Sequence, residues 1–140
     1  YSTLALCELG VAYAMKNEKA KSSFYFEQLS HLLSKFTGET NTFWQLMILD
    51  NLSKYYSNTG KIKECLKTLD KAVAFAKKHN TPMFMDSFYF LYATTIRDEN
   101  GGWNKESLAY MMKAWSFADF LEDKFVCKKA YDYLKSQNLL

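Results

Sequence analysis

Residues 52–72 read LSKYYSNTGKIKECLKTLDKA and show the clearest structural pattern of the chain. Apolar and small side chains recur in this stretch every three or four residues, the spacing of a helix face. Asn58-Thr59-Gly60 interrupts this pattern as a tight turn, and Gly60 suits a positive φ just after a helix end. The small Ser53 lets the two helices approach closely, and Tyr56 fills the space between them. The stretch therefore predicts a helical hairpin.

The same pattern occurs on both sides of this hairpin. Three triplets of second-helix residues align at offsets of 43 and 42 residues: Ser22/Phe26/Leu29, Cys65/Leu69/Ala72 and Ser107/Met111/Ala114. The first helices carry a matching large–small–x–x–large motif: Leu9-Gly10-(x2)-Tyr13, Leu52-Ser53-(x2)-Tyr56 and Tyr92-Ala93-(x2)-Ile96. This arrangement resembles the tetratricopeptide hairpin, although its period is longer than the usual ~34 residues.

The pattern predicts helices over about residues 4–15, 20–35, 43–57, 62–78, 83–98, 105–120 and 124–136, and a turn around Gly38. We expect an all-α fold, a right-handed superhelix of about three tetratricopeptide-like hairpins of ~42 residues plus a C-terminal helix. The alternative is an ordinary helical bundle whose hairpins are alike by chance. We predict a single domain over residues 1–140. Because the first residue is Tyr1 rather than Met, we expect a piece of a longer chain.

The composition is that of a globular protein, since 49% of the 140 residues are apolar and 24% are charged. A net charge of +3 with a single arginine is too weak to indicate a nucleic-acid surface. The aromatic residues recur at helical spacing, which favours core packing over base stacking. No run of about 18 apolar residues occurs, so we predict no membrane span.

Nothing in the sequence predicts catalysis. It contains no GxSxG or HExxH motif and no Walker loop. Neither His31 nor His79 is spaced from another ligand residue as zinc requires. Three cysteines about 60 residues apart fit neither a disulfide framework nor a metal site. We therefore predict a non-enzyme without metal or cofactor, in the reducing cytoplasm.

Five segments carry a more specific resemblance: residues 55–61, 69–72, 88–92, 112–114 and 130–134. In their spacing and their Tyr, Phe, Leu and Lys content they resemble the C-terminal regulatory domain of Rgg/GadR/MutR-type transcription regulators. These belong to the RNPP group of peptide-pheromone receptors of Gram-positive bacteria. The resemblance implies a cytoplasmic, homodimeric regulator that acts in quorum sensing. Its helix-turn-helix DNA-binding domain would precede this chain, and this domain would bind a short imported peptide.

Helix geometry predicts which side chains face the concave groove of such a superhelix. The six candidates lie on the first helix of the second hairpin and the first helix of the third hairpin. They are Met47, Asp50, Lys54, Phe90, Thr94 and Arg97. Aliphatic side chains of a peptide would pack against Met47 and Phe90. A peptide carboxylate would pair with Lys54 or with the planar fork of Arg97, and an amine with Asp50.

Each of these assignments has a simpler alternative. Arg97 precedes Asp98 and Glu99, a pattern that also fits a solvated helix end. Asp50 and Lys54 are four residues apart and also fit a plain surface ion pair. For the whole domain, the alternative is a tetratricopeptide-type scaffold that holds a segment of a partner protein and has no link to DNA. Exposed aromatic residues near the C-terminus would indicate a dimer surface.

Overall fold

The computed structural model describes residues 2–36 and 41–140, and these ranges contain seven α-helices and no β-strand. The helices are α1 (Thr3–Met15), α2 (Lys19–Lys35), α3 (Thr42–Asn58), α4 (Ile62–Lys78), α5 (Met85–Asn100), α6 (Lys105–Leu121) and α7 (Lys124–Ser136). Their ends lie within two residues of the predicted ones, so the all-α prediction is confirmed. The predicted turn around Gly38 lies outside the described residues. No helix in the described ranges combines the length and apolar character needed to cross a bilayer.

The helix ends follow from local chemistry. Gly60 and Gly101 both have φ of +75°, the left-handed conformation in which glycine carries no steric penalty. Asn104 and Ser107 form a reciprocal capping box at the start of α6. At the start of α7, the Asp123 side chain accepts a hydrogen bond from the backbone N–H of Val126. This last cap fixes an acidic side chain at the N-terminus of α7.

Consecutive helices pack in pairs, α1 with α2, α3 with α4 and α5 with α6, and α7 packs on α6. A second set of contacts joins the odd-numbered helices, because α3 contacts both α1 and α5, and α5 contacts α7. The odd-numbered helices therefore form one continuous row. This row supplies the surfaces described below.

The residues that align between the hairpins form the core. All nine members of the three triplets are at most 4% exposed: Ser22, Phe26, Leu29, Cys65, Leu69, Ala72, Ser107, Met111 and Ala114. Gly10 shows why a small residue is needed on the first helix. A Cβ at this position would meet ring carbons of Phe26 at 2.9–3.2 Å, closer than ordinary van der Waals contact. The equivalent Ser53 and Ala93 are fully buried.

The three cysteines are free thiols. Cys7 and Cys65 are buried, whereas Cys127 is only half-buried. Burial, with the nearby charges of Asp50 and Glu8, raises the pKa of Cys7 to about 11. Burial also raises the pKa of Cys65. The two buried cysteines therefore act as small apolar side chains at neutral pH.

Candidate functional site

A cleft of about 610 Å³ lies between α3, α5 and the start of α7. Three phenylalanines, Phe84, Phe90 and Phe125, form much of its apolar wall. Polar side chains line the rest: Asp50, Lys54, Asp86, Ser87, Asp123 and Lys129. The cleft thus combines an apolar wall with polar and charged groups that can orient a ligand.

Asp50 forms the α3 side of the cleft and is only 6% exposed. Its Oδ2 lies 2.9 Å from Lys54 Nζ, and its Oδ1 accepts a hydrogen bond from Ser87 Oγ at 2.6 Å. Since Ser87 is on α5, the carboxylate joins two neighbouring first helices. The pair with Lys54 forms as the spacing predicts, but Asp50 is a buried interhelical acceptor and not a plain surface charge.

Two further carboxyl groups of the cleft lining interact with each other. Asp86 lies in the first turn of α5 and is 4% exposed, and Asp123 is the N-cap residue of α7. Burial, together with a hydrogen bond shared with Asp123, raises the pKa of Asp86 to about 6. The Asp86 hydrogen bond and the backbone N–H groups at the start of α7 lower the pKa of Asp123. Below about pH 6, Asp86 therefore holds a proton that it shares with the Asp123 carboxylate, whereas at pH 7 it is mostly ionised.

The charges of the cleft do not cancel fully. Among the described residues, three carboxyl groups line it, but only two ammonium groups do. Lys54 is paired with Asp50, and Lys129 Nζ lies 4.5 Å from the ring centroid of Phe125. In the same part of the chain, no group of three histidine, cysteine or acidic side chains is arranged to hold a metal ion.

A smaller apolar hollow of about 420 Å³ lies between α1 and α3. Leu4, Val11 and Met47 are among its lining residues, and Phe84 lines both the hollow and the larger cleft. The two spaces are therefore neighbours along the row of odd-numbered helices. Together they form a surface that is apolar at the α1 end and charged at the α7 end.

The structure divides the six predicted groove residues. Asp50, Lys54 and Phe90 line the larger cleft, and Met47 lines the apolar hollow. Thr94 is outside the lining of both spaces. Its hydroxyl donates hydrogen bonds to backbone carbonyls one turn earlier in α5, which leaves it with local partners.

Arg97 is also outside both linings, at the C-terminal end of α5. Its Nε donates to Asp98 Oδ1 at 2.8 Å, and its guanidinium lies 5.0 Å from the ring centroid of Trp103 and 5.2 Å from that of Tyr133. Its side chain is 23% exposed. Arg97 thus joins α5 to the turn before α6 and to α7 through cation–π contacts.

The sequence pattern did not single out Asp86 or Asp123. Each has the signature of an acidic residue at a helix start, where a carboxylate complements the helix dipole. That signature accounts for each residue by itself. It gives no indication that the starts of α5 and α7, with these two residues 37 positions apart in sequence, meet at one cleft.

Comparison of the chain with protein-family models, with curated proteins and with solved structures finds no match.

Proposed function

We propose that this domain binds a short peptide in the cleft between α3, α5 and α7, as the ligand-binding and dimerisation domain of a cytoplasmic transcription regulator. The observation that carries the proposal is the cleft itself. Its volume of about 610 Å³ is within the range of ligand sites. The regulatory role is what the sequence resemblance implies.

The shape of the surface favours an extended ligand. The cleft adjoins the apolar hollow at Phe84, so a peptide could place apolar side chains in both spaces. The row of odd-numbered helices fits the concave face of a tetratricopeptide-like superhelix, which typically binds extended segments. Buried groups such as Asp50 would fix the orientation of the peptide, because water competes little for hydrogen bonds at buried positions.

Two exposed phenylalanines provide a matched test. Phe125 lines the cleft and is 69% exposed, whereas Phe120 is 72% exposed and outside the cleft lining. Because both are exposed, replacing either with serine should leave the fold intact. The assay is isothermal titration of the domain with short hydrophobic peptides encoded beside its gene.

We expect a peptide to bind with Kd below about 10 μM, or ~7 kcal/mol. Phe125→Ser should weaken it by about tenfold, since a phenylalanine buried on binding contributes roughly 1.5–3 kcal/mol. Phe120→Ser should leave Kd unchanged. If no peptide binds the folded domain, or both variants lose affinity equally, the cleft is not a peptide site and the scaffold alternative is favoured.

The same titration tests Arg97 as a contact for a peptide carboxylate. If Arg97→Ala removes binding while α5 to α7 stay folded, Arg97 reaches the ligand from its position beside Trp103. If Kd is unchanged but the free energy of unfolding falls, the residue serves only to join the helices. If Arg97 pairs with the peptide carboxylate, amidation of the peptide C-terminus should change Kd as much as Arg97→Ala does.

A further inference from the structure

One carboxylate oxygen in the cleft lacks a hydrogen-bond donor. Asp86 is 4% exposed, and its Oδ2 is buried without a hydrogen-bond partner among the described residues. The neighbouring Asp123, whose pKa is lowered, is itself an acceptor and supplies no donor at neutral pH. A buried polar atom without a partner is unfavourable, and a charged one more so. The oxygen therefore favours any donor that can enter the cleft.

The cations already in the cleft do not meet this need. Lys54, on α3, is bound to Asp50 at 2.9 Å. Lys129, on α7, lies over the Phe125 ring at 4.5 Å. Neither ammonium group donates a hydrogen bond to Oδ2 of Asp86. The charged groups on α3 and α7 thus leave Oδ2 of Asp86 without a hydrogen-bond donor.

We propose that the cleft selects a ligand with a primary ammonium or guanidinium group, which binds between Asp86 and Asp123. The inference rests on the proposed function and deepens it, because the group would be the N-terminus or a basic side chain of the peptide. An ammonium ion donates three hydrogen bonds and carries the charge that both carboxylates require. The phenylalanine rings of the wall offer it cation–π contacts.

Binding of such a group displaces the shared proton. At and below about pH 6 the free cleft holds a proton between Asp86 and Asp123, and the bound cation stabilises both carboxylates in the ionised form. The proton passes to the buffer. Because the pKa of Asp86 is about 6, affinity should fall by about tenfold between pH 7 and pH 5, where protonated Asp86 competes with the ligand.

The direct test uses two probes of the same shape, phenethylammonium and its neutral counterpart phenethyl alcohol. Amide chemical shifts of the domain, followed during titration at pH 7, give the affinity of each. We expect the ammonium to bind about tenfold more tightly than the alcohol, since a hydrogen bond to a charged group contributes roughly one factor of ten. Equal affinities would overturn the inference.

Asp86→Asn should remove the preference for the ammonium, because the amide mimics the protonated acid. The matched control is Asp132→Asn, since Asp132 is an exposed acid with a 61% exposed side chain on the same helix as Lys129. This variant should keep the preference. A second measurement needs no variant: the heat of ammonium binding, compared in two buffers of different ionisation enthalpy, should show proton release at pH 6. Binding without proton release would contradict the shared-proton site.

Titrations with chemically altered peptides test the cation site separately from peptide binding. They also show whether the cation is the peptide N-terminus or a basic side chain. N-terminal acetylation should weaken the peptide if its terminal ammonium occupies the site, whereas replacing a lysine or arginine should do so if a side chain does. Peptide binding without any effect of charge overturns the inference and leaves the proposed function intact. An ammonium preference without peptide binding supports the inference and rejects the proposed function.

Discussion

Replacing Asp86 with asparagine should change how the stability of the domain depends on pH. In the folded protein, burial and the hydrogen bond with Asp123 raise the pKa of Asp86 from 3.8 to about 6. A carboxyl with a raised folded pKa binds its proton more tightly in the folded than in the unfolded chain. Its contribution therefore stabilises the fold at low pH and is lost as pH rises through about 6.

The magnitude follows from these two pKa values. Between pH 7 and pH 5 the wild-type carboxyl gains a proton in the folded state, while the unfolded carboxyl stays almost fully ionised. Linkage converts this difference into about 1.4 kcal/mol of added stability at pH 5. The amide of the Asp86→Asn variant has no proton to gain, and it donates to Asp123 at every pH. The lowered pKa of Asp123 acts only at more acidic pH, so it does not enter this window.

The assay is urea unfolding at pH 5, 6 and 7, with the free energy extrapolated to water. We compare the free energy of unfolding of the variant with that of wild type at each pH. The difference, variant minus wild type, should be about 1.4 kcal/mol smaller at pH 5 than at pH 7. Asp132→Asn should show no such trend. A difference in stability between variant and wild type that is independent of pH, or that grows as pH falls, would show that Asp86 does not titrate with a raised pKa in the folded protein.

Three further predictions concern packing and reactivity. Gly10→Ala should lower the free energy of unfolding by about 1–3 kcal/mol because its Cβ meets Phe26, and Phe26→Leu in the same chain should restore part of it in urea unfolding. Tyr92→Phe should cost about 1 kcal/mol in the same assay, since it removes the hydrogen bond from the Tyr92 hydroxyl to Asp70; an unchanged midpoint would contradict that bond. Cys127 should react with a thiol reagent before the two buried cysteines, whose pKa values are raised, and simultaneous reaction in folded protein would contradict their burial.

The helices themselves were predictable because the information is local. Apolar spacing, the Asn58-Thr59-Gly60 turn and the cap residues act within a few positions of each other, and they set the helix ends to within two residues. The aligned triplets also predicted which residues are buried, because each repeat must bury the same positions against its neighbour. Their near-complete burial follows from that requirement.

The candidate site was predictable only in part. Helix geometry placed Asp50, Lys54 and Phe90 on a common face, and the structure brings them to one cleft. The same geometry placed Arg97 on that face. In the structure, however, Arg97 lies outside the cleft lining. Its guanidinium contacts the rings of Trp103 and Tyr133, which come from later in the chain.

The helices, the pairing of consecutive helices and the need for small residues between them could be predicted from the amino-acid sequence, because helix formation and repeat packing depend on residues close in the chain or equivalent in each repeat. The meeting of Asp86 with Asp123, in contrast, depends on how distant helices pack. Each is explained locally as an acidic residue at a helix start. The proton that they share below about pH 6 arises because the row of odd-numbered helices brings two such starts together, with Asp86 buried and Asp123 half-buried. There the cost of burying charge, which no sequence pattern records, determines the protonation of the pair.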